Sequence, residues 1–167
     1  MLDLQFWSAR LFAFGLLAST CLAQNPESSK FYKLEFTVKE MEGTRALSSR
    51  TYSIVAITDG PNSSIRAGSK VPIPSAQNSS QFSFIELGVN IDCRNIREVQ
   101  NELSLNVTAD LSSTGQDATP PTYPIIRQNK WSSSVVVPMR KPTLIFSSDD
   151  VMTKRQIQLE LTATPIK

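Results

Sequence analysis

From Phe31 onward, apolar and polar side chains alternate one by one along most of the chain, and no stretch sustains the i, i+3, i+4, i+7 spacing of an amphipathic helix. Successive residues of an extended backbone point to opposite faces, so a period of two demands strands with one covered and one wetted side. The fold class expected is therefore all-β, an antiparallel β-sandwich or curled sheet of about eight strands.

The strands can be placed. Phe31 to Glu40 puts Tyr32, Leu34, Phe36 and Val38 on one face and Lys33, Glu35, Thr37 and Lys39 on the other, with a break at Glu42-Gly43. Arg50 to Thr58 carries apolar residues on both sides (Tyr52, Ile54 and Ala56 against Val55 and Ile57), which predicts a strand covered on both faces. Asp59-Gly60-Pro61-Asn62 ends it as a turn. The stretch from Ser63 to Ser80 is rich in Ser, Pro and Asn, and one short strand is expected at Lys70 to Ile73, held to a sheet edge by Pro72 and Pro74. In Gln81 to Arg94 the apolar register changes from even (Phe82, Phe84) to odd (Ile85 to Cys93), which predicts a bulge near Phe84-Ile85. Glu102 to Leu111 is a half-buried antiparallel strand with Leu103, Leu105, Val107, Ala109 and Leu111 inward. After a Pro-rich connection, Ser112 to Pro124, come Tyr123 to Gln128, Lys130 to Val137, Thr143 to Phe146 and a last strand, Arg155 to Ala163.

Residues 1–23 have a different composition. A charged start (Asp3, Arg10), an apolar run (Leu11 to Ala18) and a small-residue end (Cys21-Leu22-Ala23) have the form of a secretory signal peptide cut after Ala23. The apolar run is shorter than the roughly 20 residues that span a bilayer, and an uncleaved anchor or a lipid attached at Cys21 are the lesser readings. The organisation expected is 1–23 signal peptide, 24–30 flexible mature N-terminus and 31–167 a single β domain, exported to the periplasm or beyond, with no transmembrane helix after cleavage. Removing Asp3 and Arg10 leaves the net charge of +2 unchanged, and the basic residues are spread out, so no nucleic-acid partner is expected. Of two cysteines only Cys93 remains, so no intramolecular disulfide can form. Its place in the series Ile85, Leu87, Val89, Ile91 reads as a small buried hydrophobe in preference to a bridging thiol.

The chain contains no histidine, which removes His-based general bases, Ser-His-Asp and Cys-His nucleophiles and most zinc sites. The carboxylate pairs Asp149-Asp150, Glu40 with Glu42, and Glu98 with Glu102 read as solvated charge at strand ends, and a calcium loop's spacing is absent. No catalytic residue, no cofactor and no metal site are expected, and the protein is read as a non-enzyme. Asn62, Asn78 and Asn106 sit in N-glycosylation tripeptides, weak signals in a Ser-rich sequence. Trp131, with Tyr123 or Tyr32, is the candidate ligand contact, as an exposed stacking face for a carbohydrate.

Between residues 84 and 149 the chain contains Phe84-Ile85-Glu86-Leu87-Gly88-Val89-Asn90-Ile91-Asp92, then Leu103-Ser104-Leu105-Asn106-Val107 running into Leu111-Ser112-Ser113, then Pro124-Ile125-Ile126-Arg127 and Ser134-Val135-Val136-Val137. This order resembles the outer-membrane core domain of bacterial secretins, the ring-forming proteins of type II and type III secretion. The chain departs from that pattern at Pro138-Met139-Arg140-Lys141-Pro142 and Ser147-Ser148-Asp149, where the family has an Asp-Gly turn and a Gly-Gly-Leu close. The resemblance implies part of that sheet topology and carries over no catalytic residue. The function expected is a structural or assembly role in the cell envelope through a protein partner or self-association, by strand addition at an open edge such as Lys70 to Ile73 or the last strand. A secreted ligand-binding module, for carbohydrate, is the second reading.

Overall fold

The computed structural model describes residues 29–74, 82–114, 125–150 and 153–166. The expected signal peptide, Tyr123 and the Asn78 tripeptide lie outside them. Eight strands, β1 (Phe31–Glu42), β2 (Arg45–Ile57), β3 (Ser63–Pro74), β4 (Phe82–Val99), β5 (Glu102–Thr114), β6 (Ile126–Pro138), β7 (Thr143–Asp149) and β8 (Arg155–Ile166), form two antiparallel four-stranded sheets in the orders β2-β1-β8-β7 and β3-β4-β5-β6. Neither sheet closes into a barrel.

The core lies between the sheets and uses the alternation directly. Tyr32, Leu34 and Phe36 of β1 and Leu159, Leu161 and Ala163 of β8 face Val89, Ile91 and Cys93 of β4 and Leu103, Leu105, Val107 and Ala109 of β5, all of them buried. Cys93 is 1% exposed, as its place in the series predicts. Burying an aliphatic side chain contributes about 1.5–3 kcal/mol, so this continuous layer is what holds a chain without disulfides together. Among the described residues, backbone hydrogen bonds join the sheets at one end. There Asp59 donates its backbone N–H to the carbonyl of Ile96 (3.0 Å), Arg140 donates to that of Ala163 (2.7 Å), and Met139 forms a parallel bridge with Ala163.

Several expectations need correction. β2 is an edge strand and only one of its faces is covered, since Val55 is 54% exposed. β3 runs for 12 residues instead of four: Ile65, Ala67, Val71 and Ile73 keep the inward register through what composition reads as a loop. The stretches on either side of Asn129 are one strand, β6. The last strand, β8, is not an edge, because it lies between β1 and β7.

No bulge occurs at Phe84-Ile85, where β3 and β4 pair without interruption from Ser63↔Cys93 to Pro74↔Phe82. The change of apolar register has another cause. β4 pairs with β5 from Gly88↔Ser112 onward, so among the described residues Phe82 to Leu87 pair with β3 alone in a two-stranded ribbon, and Phe82 and Phe84 stay outward and exposed. The ribbon leaves the sheet at Gly68 opposite Gly88. A Cβ on Gly88, whose φ is +142°, would stand 2.2 Å from the Ala67 carbonyl oxygen, so no larger residue fits this crossing. The real register shift lies between Arg94 and Arg97, with Asn95 at φ 51° turning Ile96 into the core.

Candidate functional site

The two ends of the sandwich differ. At the pinned end, β1 begins beside the end of β4, and Tyr32 is buried with its hydroxyl donating to the Glu98 carboxylate. Lys30 reaches the same carboxylate at 2.8 Å. Burial, with the Glu98 hydrogen bond and charge behind it, pushes the Tyr32 phenol up to about 12. The donors Lys30 and Tyr32 hold the Glu98 carboxyl below its usual range. A cavity of about 360 Å³ lies against this cluster, bounded by Phe31, Asn101, Met139 and Pro165. A carboxylate kept ionised by a cation and a phenol kept neutral form a structural lock, since neither group is poised to exchange a proton near neutral pH.

Among the described residues the opposite end carries no such backbone bond, and the inner faces of the sheets part there around a cleft of about 870 Å³. Its floor is apolar, with Val38 and Ile157 from one sheet and Leu87, Val89 and Leu111 from the other. Its mouth is charged. Glu40 accepts from Arg155 at 2.8 Å, Arg127 reaches Asp150 across the sheets at 3.4 Å, and Asp149 accepts from Gln156 at 2.9 Å. Arg50 of β2 lines the same mouth. The signal for this cleft is present in the sequence but shared among strands. Glu40, Arg50, Ser69, Ser113 and Arg127 occupy inward register positions, so each strand runs out of apolar residues at the same end.

The residues singled out from the sequence do not converge. Tyr32 belongs to the core and offers no stacking face. Trp131 is half-buried on the inward side of β6 and packs on Phe146 of β7, ring centroids 5.6 Å apart, where it closes the flank between the sheets. Tyr123 lies outside the described residues. The paired carboxylates are separated by their partners: Asp149 and Asp150 bond to different elements, Glu40 to Arg155 and Glu98 to Lys30 and Tyr32. Among the described residues no group of three or more metal-ligating side chains gathers. Asn62 is exposed in the β2–β3 turn, and Asn106 lies on the outer face of β5, its side-chain oxygen accepting from Ser134 at 2.7 Å.

The sequence matches no family model, and no curated protein matches it. The fold does find likenesses. The Salmonella SPI-1 type III secretion injectisome secretin InvG superposes with a TM-score of 0.58 at 6% identity, over 83% of this chain and 65% of that one. The type II secretin GspD of enteropathogenic Escherichia coli gives a TM-score of 0.51 at 8% identity, over 83% and 66%. A chain of the ETEC pilotin–secretin AspS–GspD complex also gives 0.51, at 7% identity, over 83% and 47%. The chain thus spans under two thirds of the InvG chain, and the likeness covers both of its sheets, well beyond residues 84–149. At these identities it is a likeness of fold, and the fold it points to is that of type II and type III secretins.

Proposed function

We infer that this protein is an exported, non-enzymatic assembly component of the cell envelope, which associates with protein partners or further copies of itself through its sheets. One observation carries the reading: β6 is a 13-residue edge strand without proline before its last residue. An unpaired row of backbone N–H and C=O groups is a template for strand addition, and proteins that must avoid it blunt their edges. Two of the other edges are blunted: β3 carries Pro72 and Pro74, and β7 has only seven residues and a register shift between Leu144 and Phe146. β6 has no proline before Pro138, and the middle of its outer face presents the small side chains Ser132 and Ser134 between Lys130 and Val136. The expected edge therefore moves from Lys70–Ile73 and the last strand to β6.

The likeness of fold supports the same reading, because the neighbours are components of secretion assemblies, and one was solved with its pilotin. The exposed Phe82 and Phe84 of the β3–β4 ribbon add an apolar contact surface of the kind that marks protein interfaces. The test is the solution mass of the exported protein by light scattering across concentration. The expected result is an oligomer that is indifferent to reductant, because Cys93 is buried, and that dissociates when Ser132→Lys and Ser134→Lys place like charges along β6. A monomer at every concentration, together with failure to bind any envelope protein, would overturn the proposal.

A further inference from the structure

We propose that the cleft at the open end binds a long-chain fatty carboxylate, with its alkyl chain between the sheets and its head group on Arg50. The cleft's volume of about 870 Å³ falls within the ~300–1,000 Å³ usual for ligand clefts. Its floor is core that the protein leaves incompletely covered. Val38, Tyr52 and Ile157 point inward, belong to the packing around the core and remain only half-buried, while Val71, Leu87 and Leu111 complete the walls from the facing sheet. An alkyl chain entering this space removes apolar surface from water on both sheets at once, a stabilisation that grows with each methylene buried.

The mouth selects the head group. Glu40, Arg127, Asp149 and Asp150 are already engaged with Arg155, with each other or with Gln156. Arg50 shares the inward register with Tyr52, opposite Val38, and among the described residues no hydrogen bond or ion pair engages it. A guanidinium presents a planar fork of donors that matches a carboxylate in two parallel bonds. With Arg127 and Arg155 already paired to Asp150 and Glu40, Arg50 is the cation among the described residues that is left to meet a ligand, which suits a single negative charge better than a polyanion. The walls above the floor carry hydroxyl and amide side chains, among them Ser69, Ser113, Gln128 and Asn129, which keep the mouth wet while the floor stays apolar. One carboxylate on an alkyl chain matches both halves, and its tail meets the apolar floor where a sugar hydroxyl would lack a partner. Arg127, Gln128 and Asn129 of β6 line the cleft, so the binding test is run on the monomer and on the oligomer alike.

The test uses the exported full-length protein, stripped of lipid and titrated with a fluorescent dansylamino-undecanoate, with palmitate and hexadecanol as competitors. Saturable binding that palmitate displaces more strongly than hexadecanol is the expected result. Arg50→Gln should weaken palmitate roughly ten- to a hundredfold, the loss of a charge-assisted hydrogen-bonded pair. Leu111→Trp should fill the cleft and abolish binding. Ser69→Phe fills the same space from the exposed edge strand β3, so a folding failure of the Leu111 variant leaves the test intact. Absence of saturable binding to the wild-type protein overturns the proposal. So does hexadecanol competing as well as palmitate, or binding that neither Arg50→Gln nor Ser69→Phe alters.

Discussion

Two buried titratable residues, Cys93 and Tyr32, set what can be measured residue by residue. Burial pushes the Cys93 thiol up to about 12, with the neighbouring Asp92 charge adding to it, so it carries no thiolate at neutral pH. A disulfide-exchange reagent should leave Cys93 unmodified in the native protein and react stoichiometrically in denaturant; fast native reaction would mean that the sheets part at β4. Tyr32 and Glu98 give stability an acid and an alkaline limb. The Glu98 pKa is depressed by Lys30 and Tyr32, so its contribution is present above the unfolded carboxylate value and disappears as pH falls through the folded one. The Tyr32 pKa is raised from 10.0 to about 12, so its contribution is intact below 10 and is lost as pH climbs from 10 toward 12. Melting temperature should accordingly be flat through neutrality and drop at both extremes. Glu98→Gln should flatten the acid limb, and Tyr32→Phe the alkaline one. Alternation makes the burial of Tyr32 readable in the sequence, but not its bond to Glu98, because the two are 66 positions apart and meet only once the sheets are stacked.

At the scale of elements, the departures from sequence expectation share one cause: the identity of a strand's neighbours is not written in that strand. β2 has the apolar content of a central strand and sits at an edge, while β8 has the half-polar pattern of an edge and sits between two partners. The outward Gln156, Gln158, Glu160 and Thr162 of β8 show why, since a strand central within its sheet can still keep one face toward water. The Gly68–Gly88 crossing shows the converse, a device visible as two glycines but interpretable only through the register that sets them opposite. Gly88→Ala should destabilise by about 1–3 kcal/mol, the usual cost of holding a non-glycine residue in a disfavoured backbone region, with the clash against the Ala67 carbonyl added. Gly43→Ala is the comparison, because Gly43 also has a positive φ (58°) yet a Cβ there meets nothing within 4 Å. Urea titration of both variants sets Gly88, which combines a glycine-only backbone region with the crossing, against Gly43, which has the milder left-handed conformation and open space. Equal losses would show that the ribbon does not depend on close approach at that point.

For the molecule as a whole, the asymmetry between a pinned end and an open end ties folding to function. The layer from Leu34 and Phe36 through Leu105, Val107, Leu159 and Leu161 is continuous and fully covered, whereas toward Val38, Leu87 and Ile157 the sheets part and cover one another less. Local stability follows buried apolar contact, so amide hydrogen exchange should grade along each strand. Protection should approach the global value at Tyr32–Phe36 and Leu159–Ala163 and fall toward Glu40, Arg50 and Ile157. The same gradient should appear in truncations. Leu161→Ala, in the covered layer, should cost roughly 2–5 kcal/mol, as large-to-small changes at rigid core sites do, whereas Leu144→Ala, 51% exposed on β7, should stay within about 0.5 kcal/mol. Both sheets contribute to one layer and no disulfide joins them, so unfolding of the monomer should be a single cooperative transition by circular dichroism and tryptophan fluorescence alike. Two separated transitions would mean that the sheets are independent units and that the cleft extends through the whole interface. A long fatty carboxylate bound at the open end should then act selectively. It would slow exchange at Val38, Tyr52 and Ile157 while leaving the Tyr32 end unchanged, because the ligand would supply the apolar cover that the facing sheet withdraws there.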